Sequence, residues 1–279
     1  MENERIYWHA AFPAAMKLEF RENKENLEYE TEFQLNAEPI SVDLLIIKKP
    51  PEVMIKNELG RFFKEYNLLE YKGPGDELNI DVFFKGLGYA SLYKAGSEKV
   101  DSRKSEDITL TFVRESYPRR LFQKLTDMNI EITNTGKGLY RIAAGFLFDI
   151  QIIVTGELDE NEHLWIVSLT KKLHDNTARN LVSAYEMIYD KDEKISAHAV
   201  FDVVERGNRE VFKKLKEEPE MHEVLMEIMK PDIDKKIDEA CKERDAIIAE
   251  KDADIAQKNA DIAQKNARIK ELEALLAAK

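Results

Sequence analysis

SVDLLII at residues 41–47 and NLLEYK at residues 67–72 decide how this 279-residue chain is read. The first stretch is apolar and β-branched and is closed by Lys48-Lys49-Pro50-Pro51, which marks a largely buried strand. Asp43 is the one acid inside it. The second is a short apolar run ended by the turn residues Gly73-Pro74-Gly75, so it too reads as a strand. Period-two alternation puts Glu70 and Lys72 on one face. The 27 residues from Asp43 to Glu70 are enough for the second strand to return beside the first. Two carboxylates converging at a sheet edge suit Mg²⁺, a hard cation that takes oxygen ligands and keeps several waters. The Tyr71 backbone carbonyl is a candidate third ligand. Lys72, beside Glu70, is placed to position or deprotonate a water and to neutralise charge developing on phosphorus. The competing reading of the same residues is an ion pair on a sheet edge.

Outward from this pair, Trp8 to Phe20 has apolar residues at helical spacing, with Pro13 near the first turn. Leu27 to Leu35 alternates as a half-buried strand does. Ile80 to Ala95 reads as a helix despite Gly86 and Gly88, Asp107 to Val113 as a strand, and Arg119 to Asp127 as a helix opened by Pro118. Gly136 to Gly138 make a turn before two strand-like runs, Leu139 to Ala143 and Phe148 to Thr155. From Asn161 to Met229 the pattern is helical, broken at Asp190 to Glu193, Gly207 and Pro219. The expected architecture is α/β, an αβββαβ core with a mixed central sheet, followed by added helices.

The tail has its own repeat, KDADIAQ-KNADIAQ-KNARIKE from Lys251, with Ile248, Ile255, Ile262, Ile269 and Leu276 every seven residues. Either heptad register supplies one apolar knob per repeat, which is compatible with a weak coiled coil or with a solvated helix. The expected organisation is residues 1–173 as the main domain, 174–231 as a helical extension and 232–279 as a heptad-repeat helix through which the chain forms a homo-oligomer.

The stretches EFQLNAEPISVDLLIIKK (32–49), GRFFKEYNLLEYKGPGDELNIDVFFKGLGYASLYKA (60–95) and ITLTFVRESYPRRLF (108–122) together resemble the PD-(D/E)XK nuclease-like proteins of the transposase or recombination-promoting nuclease type. The resemblance covers roughly residues 8 to 170 and implies a restriction-endonuclease-like core. It also implies Asp43, Glu70 and Lys72 as catalytic residues, Asp43 and Glu70 as metal ligands, and DNA cleavage with Mg²⁺ or Mn²⁺. Some branches carry a glutamine four residues before a tyrosine on the next helix, where this chain has Lys85 and Tyr89. Other branches use an additional acid on the first helix, here Glu19. Arg119, Arg120 and Lys124, with Lys85 and Tyr89, are candidates for contacting DNA, although surface charge at a helix start accounts for the three on 119–124 equally well.

Several classes find no support. His9, His163, His174, His198 and His222 lack zinc-ligand spacing. No glycine-rich phosphate loop follows a strand, so no nucleotide cofactor is expected. The longest apolar stretch is too short for a membrane span, and the opening residues carry no apolar leader, which places the chain in the cytoplasm. Cys241 alone makes no intrachain disulfide. The net charge is −12, and without residues 232–279 the chain has 32 basic against 42 acidic side chains. This balance counts against nonspecific coating of nucleic acid, and any DNA contact is a local patch. The same charge suits the alternative function, a catalytically inactive interaction or DNA-binding module on a nuclease fold.

Overall fold

A computed structural model describes residues 8–34, 41–49, 51–97, 99–142, 147–228 and 251. The chain divides into two compact units, Met1–Leu225 and Met226–Lys279. Apart from Lys251, the heptad segment 232–279 and any self-association through it lie outside the described residues.

The strands of the first unit form one mixed α/β sheet of seven strands among the described residues: β1 (Leu27–Gln34), β2 (Ser41–Lys48), β3 (Tyr66–Lys72), β4 (Ile108–Arg114), β5 (Ile132–Gly136), β6 (Leu139–Ile142) and β7 (Asp149–Val154). Their order across the sheet is β1-β2-β3-β4-β7-β6-β5. β3 is parallel to β4 and β4 to β7, while the other neighbours run antiparallel. The parallel strands are buried almost throughout, as their continuous apolar runs require. β5 is a strand that the sequence pattern does not announce: its residues, ITNTG, are polar and mostly exposed, and only pairing with β6 makes them a strand.

The helices lie on both sides. α1 (Trp8–Glu19) carries Pro13 in its second turn, one turn further in than expected, and stacks Phe12 on Tyr71 of β3. α1 is itself covered by α6 (Lys191–Gly207) and α4 (Leu164–Val167). α5 (Asp175–Glu186), α7 (Arg209–Lys216) and α8 (Pro219–Ile228) complete the helical part. On the opposite face, α2 (Ile80–Ala95) and α3 (Arg119–Asp127) pack over Leu45, Leu68, Leu110, Phe112 and Ile152, a cluster closed to solvent. Each such aromatic or aliphatic side chain contributes about 1.5–3 kcal/mol by leaving water. α2 begins where Asn79 accepts a hydrogen bond from Val82 N at 3.0 Å, a side-chain N-cap.

Inside the sheet Asn67 is fully buried and fully bonded. Its Oδ1 accepts from Lys64 N and Thr109 Oγ1, and its Nδ2 donates to Ile46 O and Lys64 O, so one amide joins β2, β3 and β4.

The glycines of α2 differ sharply. A Cβ on Gly86 would sit 2.4 Å from Cζ of the buried Phe112 ring, whereas one on Gly88 would meet nothing within 4 Å. Gly86→Val is therefore expected to destabilise by about 1–3 kcal/mol or more, while Gly88→Ala gains about 0.4–1 kcal/mol. Urea midpoints with unchanged m-values test the pair, and equal effects at the two positions would show that the Phe112 ring yields.

Candidate active site

The β2–β3 ladder ends, at the site's edge of the sheet, with Leu44 opposite Leu69. One step further the register sets Asp43 opposite Glu70. There Asp43 Oδ2 accepts a hydrogen bond from the Tyr71 backbone N–H at 2.7 Å, so a side chain continues the bonding between the strands. On the other flank, β1 pairs Thr31 with Leu44 and Phe33 with Val42 but skips the intervening Glu32 and Asp43. Glu32 takes a left-handed φ of 49°. Such a backbone costs of order 1–3 kcal/mol and gathers at functional sites.

Alternation sends Tyr71 toward α1 and sends Glu70 and Lys72 to the α2 face. Lys72 Nζ donates to Glu70 Oε1 at 2.8 Å, and Glu70 is 7 % exposed. Burial, and then the like charge of Asp43, push the Glu70 carboxyl above its ordinary range, against the pull of Lys72 and Lys85. A buried carboxyl whose ionisation is opposed by burial and by a neighbouring carboxylate belongs to a donor pair that a divalent cation relieves. Asp43 and Glu70 thus fit the hard-oxygen chemistry of Mg²⁺. Lys85 is exposed on α2, with Nζ 5.3 Å from the ring centre of buried Tyr89. Its pKa is raised first by Tyr89 and, at longer range, by Glu70 and Asp43. The structure therefore brings Asp43, Glu70, Lys72, Lys85 and Tyr89 into one neighbourhood.

His9 joins them from the first turn of α1. Its Nδ1 lies 3.4 Å from Asp43 Oδ1 and its Nε2 3.5 Å from Asp76 Oδ2, with the ring edge-on to Tyr71. The hydrogen bond to Asp43 is the main reason its pKa is raised. Sequence reasoning passes over the histidines because none has ligand spacing. His9 reaches the site through the packing of α1 on β2 and β3, a contact that no local motif announces.

Arg119, Arg120 and Lys124 are exposed on α3, which starts beyond the end of β4. Because β3 and β4 are parallel, that is the same sheet edge as Lys72. Arg120 lies 3.8 Å from Glu77, next to Asp76 in the chain.

Glu19 is not in this group. It stands at the far end of α1 from His9, about 15 Å along the axis at 1.5 Å per residue. There it is buried and accepts hydrogen bonds from Asn57 Nδ2 (3.1 Å), His163 Nδ1 (3.3 Å) and Ile166 N (3.2 Å). His163 is buried too, and its Nε2 is 3.1 Å from Glu58. Glu58, Glu162 and His163 have ligand atoms close enough together to hold a metal ion. Both ring nitrogens of His163 are, however, already engaged by Glu19 and Glu58. A cavity of about 360 Å³ lined by Glu19, Asn57, Glu162 and Trp165 opens at this end of α1, and none of the Asp43 group lines it.

Burial alone would lower the His163 pKa, but the two flanking carboxylates outweigh it and the net direction is up. The resulting stabilisation is complete below the unfolded value near 6.5 and is lost as pH rises through the folded value. Urea midpoints measured upward from pH 6 are expected to fall through this window. His163→Gln is expected to flatten that part of the profile, and an unchanged slope in the variant would remove His163 as its source.

Compared with family models, curated proteins and solved structures, the chain matches none.

Proposed function

We propose that this chain is a divalent-metal-dependent endonuclease that hydrolyses DNA phosphodiester bonds, on a restriction-endonuclease-like core formed by α1, β1, β2, β3, α2 and β4. The observation that carries the reading is the meeting of Asp43 and Glu70 across the β2–β3 pair, with Lys72 bonded to Glu70. Asp43 and Glu70 hold Mg²⁺, or Mn²⁺ in its place, which when bound supplies Lewis-acid polarisation of the phosphate and a bound water of lowered pKa. Lys72 faces the reacting phosphate, orients the attacking water and balances charge as it develops. Tyr71 N–H fixes the Asp43 carboxylate, and His9 holds its other oxygen. Such partners of ligands typically matter 10–100-fold for metal affinity. Lys85, Arg119, Arg120 and Lys124 supply local positive charge for the DNA backbone on an otherwise acidic body. Self-association through residues 232–279 would bring two sites to two strands.

A second reading, an interaction or DNA-binding module without catalysis, draws on the excess of acids and on the closed Lys72–Glu70 pair, which occupies a proposed ligand oxygen. Incubation of supercoiled and linear DNA with Mg²⁺ or Mn²⁺ separates the two. Metal-dependent nicking is expected. No cleavage together with no effect of Mg²⁺ on melting temperature would leave the module.

A further inference from the structure

Arg114 is the last residue of β4 and pairs across the parallel ladder with Lys72 of β3. Two residues earlier, Phe112 stacks on Phe83 and closes on Gly86 of α2, so alternation sends Arg114 out of the same face of the sheet. Lys72 leaves β3 on that face as well, behind Leu68 and Glu70. Partners on adjacent strands stand about 5 Å apart, so two cations are set side by side.

Their surroundings differ. Lys72 has Glu70 at 2.8 Å. Among the described residues no carboxylate comes within ion-pair distance of Arg114, and its Nε is buried without a hydrogen-bond partner. Burial lowers its pKa, which Glu77 and Glu115 offset only from longer range. A buried donor left unpaired costs about 1–3 kcal/mol, and more when it is charged. A donor of this kind is met by an ordered water, an ion or a ligand group, and the guanidinium at the strand end, only part-buried, is where an acidic ligand would reach it.

We infer that Arg114 and Lys72 form a phosphate-binding site, in which the Arg114 guanidinium takes a phosphodiester of a nucleic-acid strand lying across the C-terminal ends of β3 and β4. The site rests on the nuclease reading, because it places that phosphate beside Glu70. Guanidinium suits a phosphodiester because its planar fork offers two parallel N–H groups to two phosphate oxygens, which an ammonium does not. Arg119 and Arg120 open α3 five and six residues further on, continuing positive charge along the same edge.

The test uses the full chain as wild type, Arg114→Gln and Arg114→Lys, with a short fluorescein-labelled DNA duplex. Binding is followed by anisotropy in EDTA between about 50 and 200 mM salt, so that no cleavage intervenes. Thermal melts establish that each protein is folded. Arg114→Gln is expected to bind about tenfold to a hundredfold more weakly, with the salt slope shallower by about one. Arg114→Lys, which keeps the charge but not the fork, is expected to keep the slope and fall between the two in affinity. It carries the comparison if the glutamine variant does not fold.

Arg114→Gln with wild-type affinity and slope would overturn the site, as would a wild-type protein that binds no duplex. If cleavage fails while binding still depends on Arg114, the nuclease reading falls and the phosphate site stands. If cleavage succeeds and Arg114→Gln binds normally, the reverse holds.

Discussion

If the proposed nuclease reading holds, Asp43→Asn and Glu70→Gln are each expected to lower Mg²⁺-dependent DNA cleavage by about 10³-fold or more, the scale of removing a group that stabilises charge in a transition state. Both replacements keep shape and remove charge, so the loss is one of chemistry. The Tyr71 N–H can still donate to an asparagine oxygen at residue 43, and Glu70 lies in a strand paired along its length with β4. A second readout is the melting temperature during a Mg²⁺ titration. At 100 times its dissociation constant, a ligand that binds only the folded state adds about 2.7 kcal/mol, roughly 5–10 °C for a unit of this size. Wild type is expected to show this rise, and the variants to stay flat. Burial already disfavours charge on Glu70, so without metal the glutamine variant is expected to melt at or above wild type at pH 7. A Glu70→Gln protein that nicks plasmid at the wild-type rate would refute the assignment.

The parts legible in the sequence are those that local physics dictates. β2 shows in its β-branched run and β3 in its short apolar run closed by Gly73-Pro74-Gly75, and α2 keeps its expected bounds because Asn79 caps its start and Gly96 follows its end. The pairing of Asp43 with Glu70 follows once the two strands are antiparallel neighbours, since register does the rest. What stayed hidden depends on contacts between elements distant in sequence. Gly86, which looks like a weak point in a helix, allows α2 to approach Phe112, and Gly207 does the same for Trp8. β5 has no hydrophobic alternation to announce it. His9 and Glu19 lie on one helix and go to different sites, because α1 is roofed by α6 and α4 and its polar residues meet partners far along the chain. On an isolated helix Glu19 reads as solvated or as an extra acid for the metal. Its neighbours could not be read from spacing.

Glu19→Ala is expected to cost about 3–5 kcal/mol of stability, the scale of breaking a buried charge cluster by removing one member. Three donors converge on this carboxylate: Asn57 Nδ2, His163 Nδ1 and the backbone N–H of Ile166. They belong to the segment between β2 and β3, the residue before α4, and α4 itself, so Glu19 ties α1 to both. Its loss leaves His163, which is 2 % exposed, with Glu58 as its remaining ion-pair partner among the described residues, and leaves the other two donors to find water. For a unit of this size the melting temperature should fall by roughly 6–20 °C. Glu19→Gln keeps an acceptor for Ile166 N but no charge for His163, and should lie between. Because the partners of Glu19 are all remote from Asp43, cleavage per folded molecule, measured well below the lowered melting temperature, should stay within about twofold of wild type if distant sites act independently. The opposite pattern, unchanged melting with lost cleavage, would make Glu19 part of the metal site after all. It would require α1 to turn this carboxylate away from His163 when metal and DNA bind.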